Sequence, residues 1–272
     1  MVNPVHLLLL SFAIQSKIQK MKTVLITGAN KGIGLEAARQ LAQKGYHVYM
    51  GSRDLKNGLE SVEKLKAEGL ESVEAIELDV TSQQSVNTAR IEIGRKTEVL
   101  DVLINNAGIN GIKFNGDTPV MHTATGTGVD VFKEVYEVNV YGVIRVTQAF
   151  LDLLRKSPEP RIVNVSSSQG SLTLHSDPTF IHYKFKGAVY QSSKSALNMY
   201  TIVLAYELRD TPFKVNAVSP GSTKTDFNRQ LGQGSVEDAG RRIVKYALID
   251  NDGPTGKFFS EDMNTATGEI PW

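Results

Sequence analysis

The sequence predicts an α/β fold in three layers: one doubly wound parallel sheet with helices on both sides. Two observations carry that prediction. Short β-branched, apolar runs alternate with segments of helical period, and the runs are apolar throughout rather than at every second residue. Strands that are apolar on both faces belong to sheets covered from both sides. Alternation of such strands with helices of about ten or more residues implies parallel strands joined by right-handed crossovers. The first strand is expected over Thr23–Ile26, followed by a helix marked by Ile33, Ala37 and Leu41 that stops at Gly45. A strand over Tyr46–Met50 and a helix over Leu55–Leu65 come next, then a strand over Val73–Leu78 and a helix over Val86–Ile93. Val99–Ile104 reads as the fourth strand, and a long helix is expected over Val131–Leu154. Arg161–Val165, a helix over Ala188–Leu208 and Lys214–Val218 complete the series, with Gly256–Phe259 as a last strand. No repeat, low-complexity tract or Pro/Gly/Ser-rich linker divides residues 21–272, so they are expected to form a single domain. Ligands of such a sheet bind at the carboxyl ends of its strands.

Composition narrows the function classes. The 272 residues include 30 Lys or Arg and 29 Asp or Glu, for a net charge of +1. That balance argues against nucleic acid or an anionic membrane as the main partner, since both need a basic surplus. The chain has no cysteine, which excludes disulfide scaffolds, Cys-ligated metals and thiol nucleophiles. None of the five His has metal-ligand spacing, so no metal site is expected. The chemistry must run on oxygen and nitrogen groups. The apolar run Val5–Ile14 is about half of the ~20 residues a membrane span needs. No Lys or Arg precedes it and no small-residue cleavage site follows it. Residues 1–20 are therefore expected to be an extension or a mis-assigned start ahead of Met21, with an anchor to a membrane or partner as the alternative. A cytoplasmic location is expected.

Thr27-Gly28-Ala29-Asn30-Lys31-Gly32-Ile33-Gly34 lies between the first strand and its helix. Glycine takes positive φ and lets a ligand approach the backbone, while the helix start offers N–H groups and positive potential to an anion. Alone, three glycines fit either a phosphate site or an ordinary βα turn. Their placement between a strand and a helix favours phosphate.

The spacing is GxxxGxG, and TGxxxGxG at the first βα turn resembles the short-chain dehydrogenase/reductase family. That family also carries Asn-Asn-Ala-Gly after its fourth strand, matched here by Asn105-Asn106-Ala107-Gly108. The order of motifs agrees over roughly residues 21–260, nearly the whole chain. The resemblance implies a Rossmann fold and a nicotinamide cofactor. Its contacts would include Gly28, Asn30, Lys31, Gly32, Ile33, Gly34, Asn106, Ala107 and Gly108, with Asp79 and Val80 at the adenine.

An enzyme that reads the ribose 2′-hydroxyl usually ends its second strand in a carboxylate, whereas a 2′-phosphate meets Arg. Here that strand runs into Gly51-Ser52-Arg53, with no carboxylate before Asp54. Arg53 can grip a phosphate bidentately and Lys31 adds a second cation. Together they favour NADPH and resemble the carbonyl reductase branch of the family.

Of the nine Tyr, only Tyr190 has a Lys four residues on, Lys194. On a helix both side chains then share a face. Hydride delivery to a carbonyl leaves an alkoxide that needs a proton, and a cation beside a phenol is expected to lower its pKa. The resemblance makes Tyr190 the proton donor and gives Lys194 the nicotinamide ribose as well. It places the catalytic Ser three residues before a Gly, which selects Ser167 with Ser166 as competitor. It gives Asn139, in Asn139-Val140-Tyr141-Gly142, a water-holding role beside the catalytic Lys. Pro220-Gly221-Ser222-Thr223-Lys224-Thr225 would bind the nicotinamide carboxamide through Pro220, Gly221, Thr223 and Thr225. Thr223 departs from the usual Val or Ile, at a contact expected to run through the backbone.

The stretch Ser171–Val189 is longer than the shortest members of the family carry. It is expected to be either a lid over an apolar substrate or a cover for helix surface. A short segment between Asp226 and Ser235 implies an open pocket tolerant of varied carbonyl compounds. The expected activity is reduction of a small-molecule aldehyde or ketone with NADPH. The alternatives are an NAD(H)-dependent alcohol, steroid or sugar dehydrogenase and, outside the enzymes, a dinucleotide-sensing regulator. Monomer and homo-oligomer both remain open.

Overall fold

The computed structural model describes residues 21–115 and 118–272; the extension expected over 1–20 lies outside them. Seven parallel strands form the main sheet: β1 (Thr23–Thr27), β2 (His47–Ser52), β3 (Val73–Glu77), β4 (Val102–Asn105), β7 (Arg161–Val165), β8 (Lys214–Val218) and β9 (Phe258–Phe259). Their spatial order is β3-β2-β1-β4-β7-β8-β9. The winding therefore reverses between β1 and β4, the point at which such sheets open a crevice for a ligand.

Both faces of each central strand are buried, as the continuous apolar runs required. Val24 and Ile26 of β1 face a core completed by α1 (Gly32–Gln43), α2 (Leu55–Ala67) and α8 (Val236–Ala247), through Ala37, Leu41, Leu65 and Ile243. Leu25, between them, faces the opposite core with α3 (Gln83–Lys96), α5 (Val143–Leu154) and α7 (Ala188–Glu207), through Ile93, Phe150 and Leu204. Phe150 is fully buried there, and truncating such a side chain to Ala costs about 3–5 kcal/mol.

The structure corrects the expected elements in three places. The fourth strand starts at Val102, not Val99, because the Val99 carbonyl accepts the Thr23 and Thr97 hydroxyls in a turn. The long helix expected over Val131–Leu154 is not uniform. It runs as α4 (Val129–Tyr136), a π-helical turn Glu137–Gly142 and α5. Gly142 packs on Val80, where an added Cβ would come within 2.8 Å, and the extra residue per turn widens the helix beside the site. The stretch between β4 and α4 contains an unexpected antiparallel hairpin, β5 (Lys113–Asn115) and β6 (Thr118–Val120).

The Ser171–Val189 stretch folds as a short helix, α6 (Leu172–Ser176), followed by turns up to Gly187. It is tied to the far end of the chain. Ser171 Oγ donates to the Pro271 carbonyl at 2.8 Å and Thr173 N–H to the Trp272 carbonyl at 3.0 Å. The Trp272 ring stacks on Phe258 of β9 with centroids 5.4 Å apart.

Candidate active site

The cleft is built first by backbone. Gly28 and Gly32 adopt φ of +63° and +56°, conformations that L side chains rarely take. A Cβ at Gly34 would fall 2.5 Å from both Asn106 Nδ2 and the Gly28 carbonyl oxygen, so the turn tolerates nothing larger there. Asn106 pins the turn from β4 by donating Nδ2–H to the Thr27 and Gly28 carbonyls at 2.9 and 3.0 Å. The Thr27 hydroxyl accepts the N–H groups of Asn106 and Ala107, both at 3.0 Å. Ser61 of α2 holds the other flank through the Asn30 carbonyl at 2.7 Å. At the start of α1, Lys31 caps no N–H with its side chain and the first turn holds no acidic residue. Those free N–H groups and the glycine cradle fit the pyrophosphate of a dinucleotide.

Around the cradle, some expected contacts are free and others are engaged. Arg53 is exposed and forms no ion pair among the described residues. Asp54 accepts the Asn57 N–H at 3.2 Å as the cap of α2, so the nearest carboxylate is already committed. Lys31, expected as a second free cation, instead meets Asp226 at 3.1 Å, with both side chains about two-thirds exposed. An exposed pair of this kind is weak and exchanges readily for a phosphate. Asp79 accepts the Thr81 N–H and hydroxyl at 2.9 and 2.7 Å, and Ser82 is the cap of α3. After β8, Gly221 has φ of +88° and Asn228 binds the Thr223 carbonyl at 3.0 Å and the Thr225 N–H at 3.4 Å. Thr225 methyl carbon would lie 3.5 Å from a Cβ at Gly32, so this loop and the glycine turn face each other across the crevice.

The side chains proposed for chemistry converge beside that crevice. Ser166 is buried and its hydroxyl donates to Asn198 Oδ1 at 2.6 Å, which removes it from any role toward a ligand. Ser167 Oγ accepts the Gln169 N–H at 3.3 Å and also bonds the Tyr190 hydroxyl. Tyr190 and Lys194 occupy successive turns of α7, with Lys194 Nζ 5.7 Å from the Tyr190 ring centroid. Lys194 is buried and donates to the Val165 carbonyl at 2.8 Å, with no carboxylate partner among the described residues. Burial without a counter-ion pulls its ammonium down to about 8. The same enclosure pushes the Tyr190 phenol up to about 12, against a smaller downward pull from the Ser167 hydroxyl. The expected lowering of Tyr190 by Lys194 is not seen in the protein alone: burial of the phenol sets the direction, and the opposing pull comes from the Ser167 hydroxyl. Asn139, in the π-helical turn, is fully buried. Its amide exchanges two hydrogen bonds with the Ile109 backbone, at 2.9 and 2.8 Å, and reaches Ser193 Oγ at 3.0 Å.

A largely apolar cavity of about 160 Å³ opens at Tyr190. Ile112, Met121 and Phe185 supply apolar wall, the last from the Ser171–Val189 stretch. Phe227 meets the Tyr190 ring edge-on at 5.7 Å, and its carbonyl accepts Asn110 Nδ2–H at 2.5 Å. Phe227, in the short segment after Asp226, thus forms part of the wall beside the phenol. Gln169, Gln191 and His122 also line the cavity, and no sequence motif marks them. Only their nearness in sequence to Ser167 and Tyr190 was available for the first two.

A fold wound in this order, with this cradle and this Tyr–Lys pair, defines a class. Residues 22–235 match the family model described as short chain dehydrogenase, and the chain belongs to that family of oxidoreductases. Salutaridine reductase of Papaver bracteatum is 34% identical to it, over 89% of this chain and 95% of that protein. (+)-Neomenthol dehydrogenase of Capsicum annuum is also 34% identical, over 89% of this chain and 96% of that protein. Among solved structures, the NADPH-bound carbonyl reductase from chicken fatty liver superposes with a TM-score of 0.75 at 26% identity. That match covers 93% of this chain and 99% of that one. Among the described residues, no helix is long and apolar enough to cross a membrane and no cluster of potential ligands could hold a metal ion.

Proposed function

We propose that the chain reduces an aldehyde or ketone to an alcohol with NADPH as hydride donor. The observation that carries this is Tyr190 on the wall of an apolar cavity, with the Ser167 hydroxyl bonded to its phenol and buried Lys194 one helical turn on. When bound, the reduced nicotinamide supplies the hydride. Ser167 donates its hydroxyl to the carbonyl oxygen and Tyr190 gives that oxygen its proton. A phenol held at about 12 stays protonated at neutral pH and is a donor, not a base, until a bound positive charge draws it down. Lys194, at about 8, is mostly protonated at pH 7 and yields its proton a little above it, which suits it to replenish Tyr190. Asn139 holds the Ile109 backbone next to this pair and keeps the wall from shifting. Arg53 meets the 2′-phosphate, joined by Lys31 once it leaves Asp226.

The carbonyl reductase relative and the unpaired Arg53 support this reading over an NAD(H)-dependent dehydrogenase, which the Lys31–Asp226 pair would favour. The test is consumption of NADPH with a panel of aldehydes, ketones and quinones, repeated with NADH. Turnover with NADPH well ahead of NADH is expected. Undiminished turnover by Tyr190→Phe overturns the proposed chemistry.

A further inference from the structure

Two glutamines on the cavity wall form a chain whose orientation is dictated by backbone. The side-chain amide of Gln191 accepts the Gly187 N–H at its Oε1, at 2.7 Å, and donates from Nε2 to the Phe185 carbonyl at 2.8 Å. A backbone N–H can only donate and a carbonyl can only accept, so these two bonds fix which end of the Gln191 amide is oxygen. Its second Nε2 hydrogen goes to Gln169 Oε1 at 2.7 Å. That bond in turn turns the Gln169 amide so that its Oε1 faces Gln191. Nε2 of Gln169 then makes no hydrogen bond to any described residue. Both glutamines line the cavity at Tyr190.

Most other polar side chains on that wall are already satisfied. Asn110 donates to the Phe227 carbonyl and accepts the Ile112 N–H, while Asn228 is engaged with Thr223 and Thr225. His122 also lines the cavity, and its ring makes no hydrogen bond among the described residues. Gln169 therefore keeps an amide Nε2 with no partner among the described residues, on the wall of a largely apolar pocket and two residues from Ser167. A ligand that displaces water from this wall is held best when it brings an oxygen to accept from that amide, since a donor covered without a partner is costly.

We propose that Gln169 is a specificity-determining residue that donates to a second oxygen of the substrate, and that Gln191 is its positioning residue. The preferred substrates are then ketones or aldehydes bearing another carbonyl, ester or hydroxyl oxygen close to the reacting carbonyl, not simple apolar ketones. This rests on the carbonyl reductase function proposed above. A site built to hydrogen-bond an oxygen discriminates strongly against the analogue that lacks it, because its polar group is left unpaired. The ring of His122, as a second unpartnered polar group, suits a hydroxyl that donates as well as accepts.

The test compares two pairs of ketones matched in size: ethyl benzoylformate with butyrophenone, and camphorquinone with camphor. Each is assayed by NADPH consumption with wild type, Gln169→Leu and Gln191→Leu. Intrinsic reactivity cancels when each ketone is compared between variants. Gln169→Leu is expected to lower kcat/KM for the two oxygenated ketones about tenfold, and to leave the simple ketones unchanged or improved. Retained turnover of the simple ketones reports that the variant is folded. Gln191→Leu is expected to shift the same ratio in the same direction, since the freed Gln169 amide no longer holds one orientation. Equal losses on both members of a pair, or no loss, overturn the proposal. Calorimetric titration of the same four ketones reads the ratio without turnover. An inactive wild type would thus count against the proposed reaction, while the binding ratio still decides the role of Gln169.

Discussion

The two ends of the sheet bury polar groups at similar depth and treat them in opposite ways. At the amino ends of the strands, Arg161 is buried and its guanidinium is consumed. It donates to the carbonyls of Ile249, Pro160 and Pro212 and to Asn251 Oδ1, at 2.7 to 3.4 Å. Asp101 beside it accepts the Thr23 N–H and the Ser157 hydroxyl at 2.8 and 2.7 Å. At the carboxyl ends, buried Lys194 has one carbonyl and no counter-ion. Gln169 keeps unspent donors, and Asn105 Oδ1 is buried without any partner. Arg161 and Asp101, which hold the fold, are saturated. The groups named at the carboxyl ends keep capacity for something that arrives.

Substitutions should separate the two ends. The largest effect is expected from Tyr190→Phe, which leaves the cavity shape intact and removes the proton donor; kcat should fall by about a thousandfold or more with the melting temperature nearly unchanged. Lys194→Met should lose about a hundredfold in kcat yet gain stability at neutral pH, by about 1–3 kcal/mol in denaturant titrations, since a buried ammonium without a counter-ion is removed. The sign is checkable against pH. The native pKa is depressed to about 8 from 10.5, so the unfolded chain binds more protons between those values. Wild-type stability should therefore rise through that window relative to Lys194→Met, and the gap between them should close. A gap that widens with pH would remove the buried-cation account.

Arg161→Met at the opposite end should behave in reverse. It takes a donor from four acceptors, of which the Pro160 carbonyl keeps the Lys214 N–H, and is expected to cost about 3 kcal/mol of stability, with KM and kcat of the surviving enzyme unchanged. The smallest effect is expected at the rim. Arg53→Asp should move the ratio of kcat/KM for NADPH over NADH by about tenfold toward NADH, with no change in melting temperature.

The fold was legible because its strands are apolar on both faces, a pattern that few other architectures use. The glycine turn was legible because Gly34 and Gly28 have no room for a side chain, so the spacing records a packing constraint. The helix over Val131–Leu154 misled because a π-helical turn leaves no period of its own. Asn139, read from the sequence as holding a water beside Lys194, sits in that turn, and its bonds to the Ile109 backbone had no sequence signal. Pairings across long separations left no trace either. The Lys31–Asp226 contact joins residues 195 apart, and the edge-on contact of Phe227 with Tyr190 depends on a turn whose Arg229 and Gln230 have positive φ without a glycine to announce it.

The fastening of Ser171 and Thr173 to Pro271 and Trp272 has a consequence for the order in which the molecule assembles. The bond from Ser171 reaches 100 residues ahead along the chain, whereas those that pin the glycine turn reach 79 and 78 and are available once Asn106 has been made. At such similar spans the cost of loop closure differs by only about 0.2 kcal/mol, so the order of synthesis decides which closes first. A chain still emerging from the ribosome can therefore complete its dinucleotide cradle before the wall that carries Phe185 is latched. Cofactor capture would then come before substrate selectivity in the life of each molecule, since the pocket acquires its shape only once Pro271 and Trp272 are there to hold Ser171 and Thr173.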